Sequence, residues 1–188
     1  MTERSKSDCI LGTARELYGR AVYSHKTHEI ERQNWSKKSC NTYRANIGLV
    51  SLTTLLAVVS VGYPSRLWTI TTAVLAALTT GFVVWQSSFD PVGKETQHRI
   101  AAKELLWLRE QLLLLIGRCH SDSEPVSHLQ SSLETITREL TAVYKFAPNT
   151  SPAAYADATA ALKGGQFTFS EEEIDAFLPT ALRKTASA

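Results

Sequence analysis

The sequence predicts an all-α protein, a two-helix transmembrane hairpin joined to a cytosolic helical bundle. Three observations carry that expectation. Residues 45–89 hold two almost uncharged runs on either side of a Pro64-Ser65-Arg66 turn. The rest of the chain repeats its apolar residues at helical spacing and shows no two-residue strand alternation. Aromatic and basic residues cluster where the ends of membrane spans would put them.

Taken in order, residues 1–12 are polar and read as loose, and a helix is expected from Thr13. Ala14, Leu17, Ala21 and Val22 form its apolar stripe. Neither Gly nor Pro occurs between Arg20 and Ile47, so this helix should run unbroken into the first apolar run, a rod of roughly 75 Å at about 1.5 Å per residue. Its polar second half must pack against neighbours, because an isolated polar helix is marginal in water.

The two apolar runs are about 46–63 and 67–89. A hydrocarbon core of roughly 30 Å needs about 20 helical residues, and neither run contains Asp, Glu, Lys, Arg or His. The alternative is a buried hairpin in a soluble bundle. Against it stand interface anchors at both ends. Tyr63 and Trp68 flank the turn, and Arg44, Tyr43, Trp85 and Phe89 sit at the opposite ends. Arg32, Lys37, Lys38 and Arg44 precede the first run and Lys94, Arg99 and Lys103 follow the second, whereas the turn carries only Arg66. The positive-inside rule therefore puts both termini in the cytoplasm. Ala73, Ala77 and Gly81 give the second helix a small-residue packing face. Ser51, Thr54, Thr72 and Thr80 are candidate pore-lining hydroxyls, with Thr53, Ser60, Thr69 and Thr79 beside them. Each hydroxyl can instead bond its own helix one turn back. A single hairpin cannot enclose water, so any pore requires an oligomer.

Asp90-Pro91-Val92-Gly93 should break the chain, with a new helix near Lys94. Its seam is Ala101, Leu105, Leu108, Leu112, Leu115 and Cys119, broadened by Leu106, Trp107, Leu113 and Leu114. Residues 121–125 read as the start of another helix, whose Val126, Leu129, Leu133, Ile136, Leu140 and Val143 repeat by threes and fours. The two helices should fold back as an antiparallel pair, with the N-terminal helix as third member. Ser151-Pro152 opens a short Ala-rich helix that closes at Gly164-Gly165. Ser170 and Glu173 then form a capping box before an apolar face of Ile174, Phe177 and Leu178, stopped by Pro179. The expected divisions are 1–44, 45–89, 90–147 and 148–188.

The 188 residues carry a formal net charge of +2, so no nucleic-acid partner is indicated. The mean hydropathy of -0.12 reflects polar flanks diluting the apolar hairpin. The first apolar run lies too far from Met1 for a secretory signal peptide. Cys9, Cys40 and Cys119 are odd in number and widely spaced, which fits reduced thiols. His25 and His28, with Glu29 and Glu31 nearby, lack the further ligands a metal site needs and read as solvated or interfacial. Cys119, His120 and His128 match no metal spacing. No phosphate-binding loop, dinucleotide fingerprint or nucleophile elbow occurs, so no enzyme, cofactor or metal is expected.

A polar helix, two close spans, a helix opening at His98-Arg99 and continuing Ala-Ala-Lys-Glu-Leu-Leu-Trp-Leu-Arg at 101–109, and a terminal element at 163–179 follow one another. That order, and the texture of residues 26–44 and 98–109, resembles the SLATT family, the two-transmembrane effector domain associated with SMODS nucleotidyltransferases and SLOG sensors in bacterial conflict systems. The resemblance implies a bacterial inner-membrane effector that oligomerises and permeabilises the membrane when a partner senses infection. The partner is implied to be a sensor or nucleotide-signalling protein encoded nearby, and the outcome abortive infection. The rival expectation is a membrane-tethered scaffold that recruits a partner through its bundle and conducts nothing. A small transporter is disfavoured, since the spans offer no ionisable group to bind a coupling ion.

Overall fold

A computed structural model describes residues 3–121, 124–168, 170 and 173–174. Five helices are seen among these residues, and no strand. The first, α1 (Glu3–Gly62), is 60 residues long, about 90 Å at 1.5 Å per residue. It begins ten residues before the Thr13 start expected from composition. The reason is tertiary: Ile10 is buried in the core, and packing stabilises a segment whose own sequence is too polar to announce a helix. α1 ends where Gly62 meets Tyr63 and Pro64.

The return path is two helices laid nearly end to end, α2 (Arg66–Phe89) and α3 (Pro91–His120). The Ser65 hydroxyl caps α2 by accepting from the Trp68 backbone N–H at 3.4 Å. The break between α2 and α3 is shorter than the four-residue motif suggests. Asp90 alone interrupts the helix, at φ 40° and ψ 62°, and its carboxylate accepts from the Gly93 N–H at 2.9 Å. A left-handed residue followed by Pro91 at the first helical position stops one helix and starts the next in a single step.

α4 (Val126–Phe146) folds back on α3, and α5 (Pro152–Lys163) lies against α1. Pro125 stands at the N-cap of α4 with no side-chain cap bond, so Pro falls just before the first turn; Asp122 and Ser123 lie outside the described residues. Ser151 caps α5 by accepting from the Ala154 N–H at 3.2 Å. Gly164 and Gly165 close α5, the latter at φ 88°, where a residue with a Cβ would be strained. The Ser170–Glu173 capping box is present in both directions, at 2.8 and 3.2 Å. Phe177, Leu178 and Pro179 lie outside the described residues.

The core sits at the end of the molecule away from the Pro64 turn. Ala101, Leu105, Leu108, Leu112, Leu115 and Cys119 are all buried, so the three-and-four seam of α3 is its inner face. They meet Ile10, Ala14 and Ala21 of α1 and Leu129, Ile136 and Leu140 of α4. Leu106, Trp107, Leu113 and Leu114 do not broaden this core. All four are exposed, because α1 and α4 already cover the seam and none of the described residues packs against the opposite side of α3.

Candidate functional site: the apolar hairpin and the histidine hub below it

The apolar half of α1 and α2 forms an antiparallel hairpin that the other described residues leave bare. The most apolar stretches of the two candidate spans are 0% and 6% buried within the protein. A soluble bundle would bury such helices, and the described residues do not supply that cover. At the turn, Tyr63 and Trp68 are exposed. At the opposite end Arg44 is exposed, and Trp85 stacks on Phe89 with ring centres 5.6 Å apart. Phe89 in turn meets Trp35 at 5.5 Å. The Lys38 and Lys94 ammonium groups lie 4.3 and 4.6 Å from the Trp35 ring centre. Sequence reasoning missed Trp35 as part of this aromatic-cation cluster, because it lies well before the apolar run in the chain.

Ala73, Ala77 and Gly81 face away from α1. A Cβ built on Gly81 meets nothing within 4 Å, so no close helix approach among the described residues uses this face. Among the candidate hydroxyls, Ser51, Thr54 and Thr80 also face outward. The Thr54 and Thr80 hydroxyls donate to the Val50 and Ala76 carbonyls, each at 2.9 Å, which satisfies them within their own helix. Thr72 differs. It turns toward α1, and its buried Oγ1 has no hydrogen-bond partner among the described residues.

Below the hairpin lies a polar hub that sequence spacing did not reveal. His25 and His28 are 7% and 5% exposed, so of the two expected settings, solvated or interfacial, they take the second: α1 carries them into its interface with α3. His28 Nδ1 lies 3.0 Å from Nδ1 of buried His98. Two ring nitrogens at that distance share one hydrogen, so one imidazole donates and the other accepts. Burial, and then the neighbouring His98, lower His28 to about 4, well under its ordinary 6.5. Burial lowers His98 and His25 too, with the Arg109 charge adding to the effect on His25. Residues 70 apart in the chain give no local signal of such a pair.

Glu31 joins this hub to α5. Its Oε1 accepts from the Ser151 N–H at 2.6 Å. Burial pushes the carboxyl up, but the hydrogen bonds from Ser151 outweigh it and hold Glu31 below the ordinary carboxylate value. Phe167 closes the other side, with Arg109 5.0 Å and Lys26 5.6 Å from its ring centre. An open cleft of about 660 Å³ adjoins the hub, with Lys38, Lys94, Glu31, His98 and Ser151 on its walls. Among the described residues, no group of three or more His, Cys, Asp or Glu is placed to hold a metal ion.

Two long apolar helices left uncovered by the other described residues, antiparallel across a tight turn and attached to a packed helical end, define an all-α protein with two candidate membrane spans. The sequence agrees with a known family over most of its length. The chain belongs to the SMODS and SLOG-associating 2TM effector domain family 4, which it matches over residues 10–173. No curated protein and no solved structure matches it.

Proposed function

We propose that this protein is a membrane effector of a bacterial conflict system, and that it acts by oligomerising and permeabilising the inner membrane. The carrying observation is the bare hairpin: none of the other described residues covers either apolar helix, which fits a cover of lipid and other copies of the chain. Both termini and the histidine hub lie on the cytoplasmic side in this reading, since basic residues flank the spans away from the turn. The Ala73, Ala77 and Gly81 face supports contact between copies, because small residues let helix backbones approach closely in lipid. The packed end receives a signal from a sensor or nucleotide-signalling partner and relays it through α1, which runs unbroken from hub to turn. No catalysis is required, because the output is a change in assembly.

The scaffold alternative draws on the exposed Leu106, Trp107, Leu113 and Leu114 of α3, which a recruited protein would cover. Membrane potential during controlled expression separates the two. An effector depolarises the cell before growth stops, and Ala77→Leu reduces that effect by wedging the contact face apart. Full growth arrest with an intact potential supports the scaffold and overturns permeabilisation.

A further inference from the structure

The unsatisfied polar groups of the hairpin lie between its helices. Thr53 and Thr79 face one another with their Oγ1 atoms 3.0 Å apart. In an antiparallel pair, that register sets Asn46 level with Gln86 and Ser60 level with Thr72, one step of seven residues to either side. Thr79 is buried and the other five are half-buried, so all six are on the inward faces. Between these rungs the inward positions are apolar, among them Leu49, Leu56, Leu75 and Phe82. Three rungs seven residues apart span about 21 Å at 1.5 Å per residue, most of a hydrocarbon core of roughly 30 Å.

Polar glue alone accounts poorly for this ladder. Thr53, Thr79 and Ser60 are satisfied: the two threonine hydrogens are shared among their mutual contact and the Leu49 and Leu75 carbonyls, at 2.7 and 2.8 Å, and Ser60 donates to the Ala57 carbonyl at 2.8 Å. By contrast Asn46 Oδ1, Thr72 Oγ1 and Gln86 Oε1 are shielded and have no partner among the described residues. Shielded polar atoms without partners are costly in lipid, where water cannot reach them. Apolar side chains at those positions would hold a closed hairpin better. Polar residues at one seven-residue period on both helices fit a face that meets water in another arrangement of the same helices.

We infer that Asn46, Thr53, Ser60, Thr72, Thr79 and Gln86 line the water path of the assembled state, and that the hairpin hides them by closing the two faces on each other. This rests on the permeabilising function proposed above. It retains Thr72 as a lining residue and moves Ser51, Thr54 and Thr80 to the outer surface. Opening turns each ladder toward an axis shared by several copies, and the Ala73, Ala77 and Gly81 face is free to pack the neighbours.

The test uses the full chain with Cys9, Cys40 and Cys119 replaced by Ala. Single cysteines replace Thr53, Ser60, Thr72 or Thr79, and Ser51, Thr54 or Thr80 for comparison. Each variant enters vesicles of phosphatidylethanolamine and phosphatidylglycerol at rising protein density. A charged thiosulfonate reports water access, and a trapped dye reports release from the same sample. Where dye escapes, the ladder cysteines are expected to react at least about tenfold faster than the outward ones, which stay in lipid. A Thr53→Cys, Thr79→Cys pair, oxidised, is expected to lose release and regain it on reduction. Release with the outward cysteines reacting faster, or release unaffected by the oxidised pair, overturns the ladder and leaves permeabilisation standing. High density replaces the partner's signal by mass action, so no release from the cysteine-free chain at any density, with the ladder unreactive, overturns both.

Discussion

A shared hydrogen between His28 and His98 ties α1 to α3, and it makes this junction sensitive to acid. His28 is lowered to about 4 in the folded chain against 6.5 ordinarily, and His98 and His25 are lowered as well. The unfolded chain therefore binds more protons than the folded one between those values, so stability rises with pH there. The full contribution is present above about 6.5 and is lost as pH falls toward 4. The melting temperature of the detergent-solubilised protein should be flat above neutrality and fall steadily through that window. His28→Phe should remove much of the fall; a slope unchanged by this substitution would assign the acid sensitivity elsewhere. The two histidines were visible in the sequence, but their burial was not. A helix as polar as residues 24–36 gives no cue to which face a distant helix will cover.

The junction of α2 and α3 turns on Asp90, which both adopts a left-handed backbone and caps the next helix. Asp90→Val loses the Gly93 cap and forces a branched residue to positive φ, a combined cost of about 2 kcal/mol. Asp90→Asn keeps a side-chain oxygen and tolerates the same backbone, so it should stay within about 0.5 kcal/mol of the parent. Helicity followed through a denaturing-detergent titration measures both, and equal losses would show that the cap is not what holds the break. A Cβ added at Gly93 would collide with the Asp90 carboxylate, so the pair works as a unit. The motif at 90–93 announced a break, and its helical periodicity gave the α3 seam residue by residue. The same pattern overstated the width of that seam. Periodicity records that Trp107 and Leu114 share an apolar side of α3, but a covering partner decides whether that side is inside.

The whole molecule is a long antiparallel pair, α1 against α2 and α3, weighted at one end by α4 and α5. That arrangement carries a direct test of orientation. Cys9 and Cys40 are exposed thiols on the end away from the turn, and Ser65 lies in the turn. In intact spheroplasts an impermeant maleimide should label Ser65→Cys at once and should reach Cys9 and Cys40 only after lysis. Labelling of Cys9 and Cys40 without lysis would invert the orientation inferred from Lys and Arg placement.

The uncharged runs at 46–63 and 67–89, the turn between them, the α3 seam and the terminal capping box were fixed by local chemistry, since length, charge and helical spacing are properties of consecutive residues. Folding alone chose which sides of those helices meet. It extended α1 back to Glu3 by burying Ile10, joined His28 to His98 across 70 residues, and set Thr53 against Thr79 while turning Ala73, Ala77 and Gly81 outward. Such pairings depend on register between helices far apart in the chain, and the spacing within one helix holds no record of it.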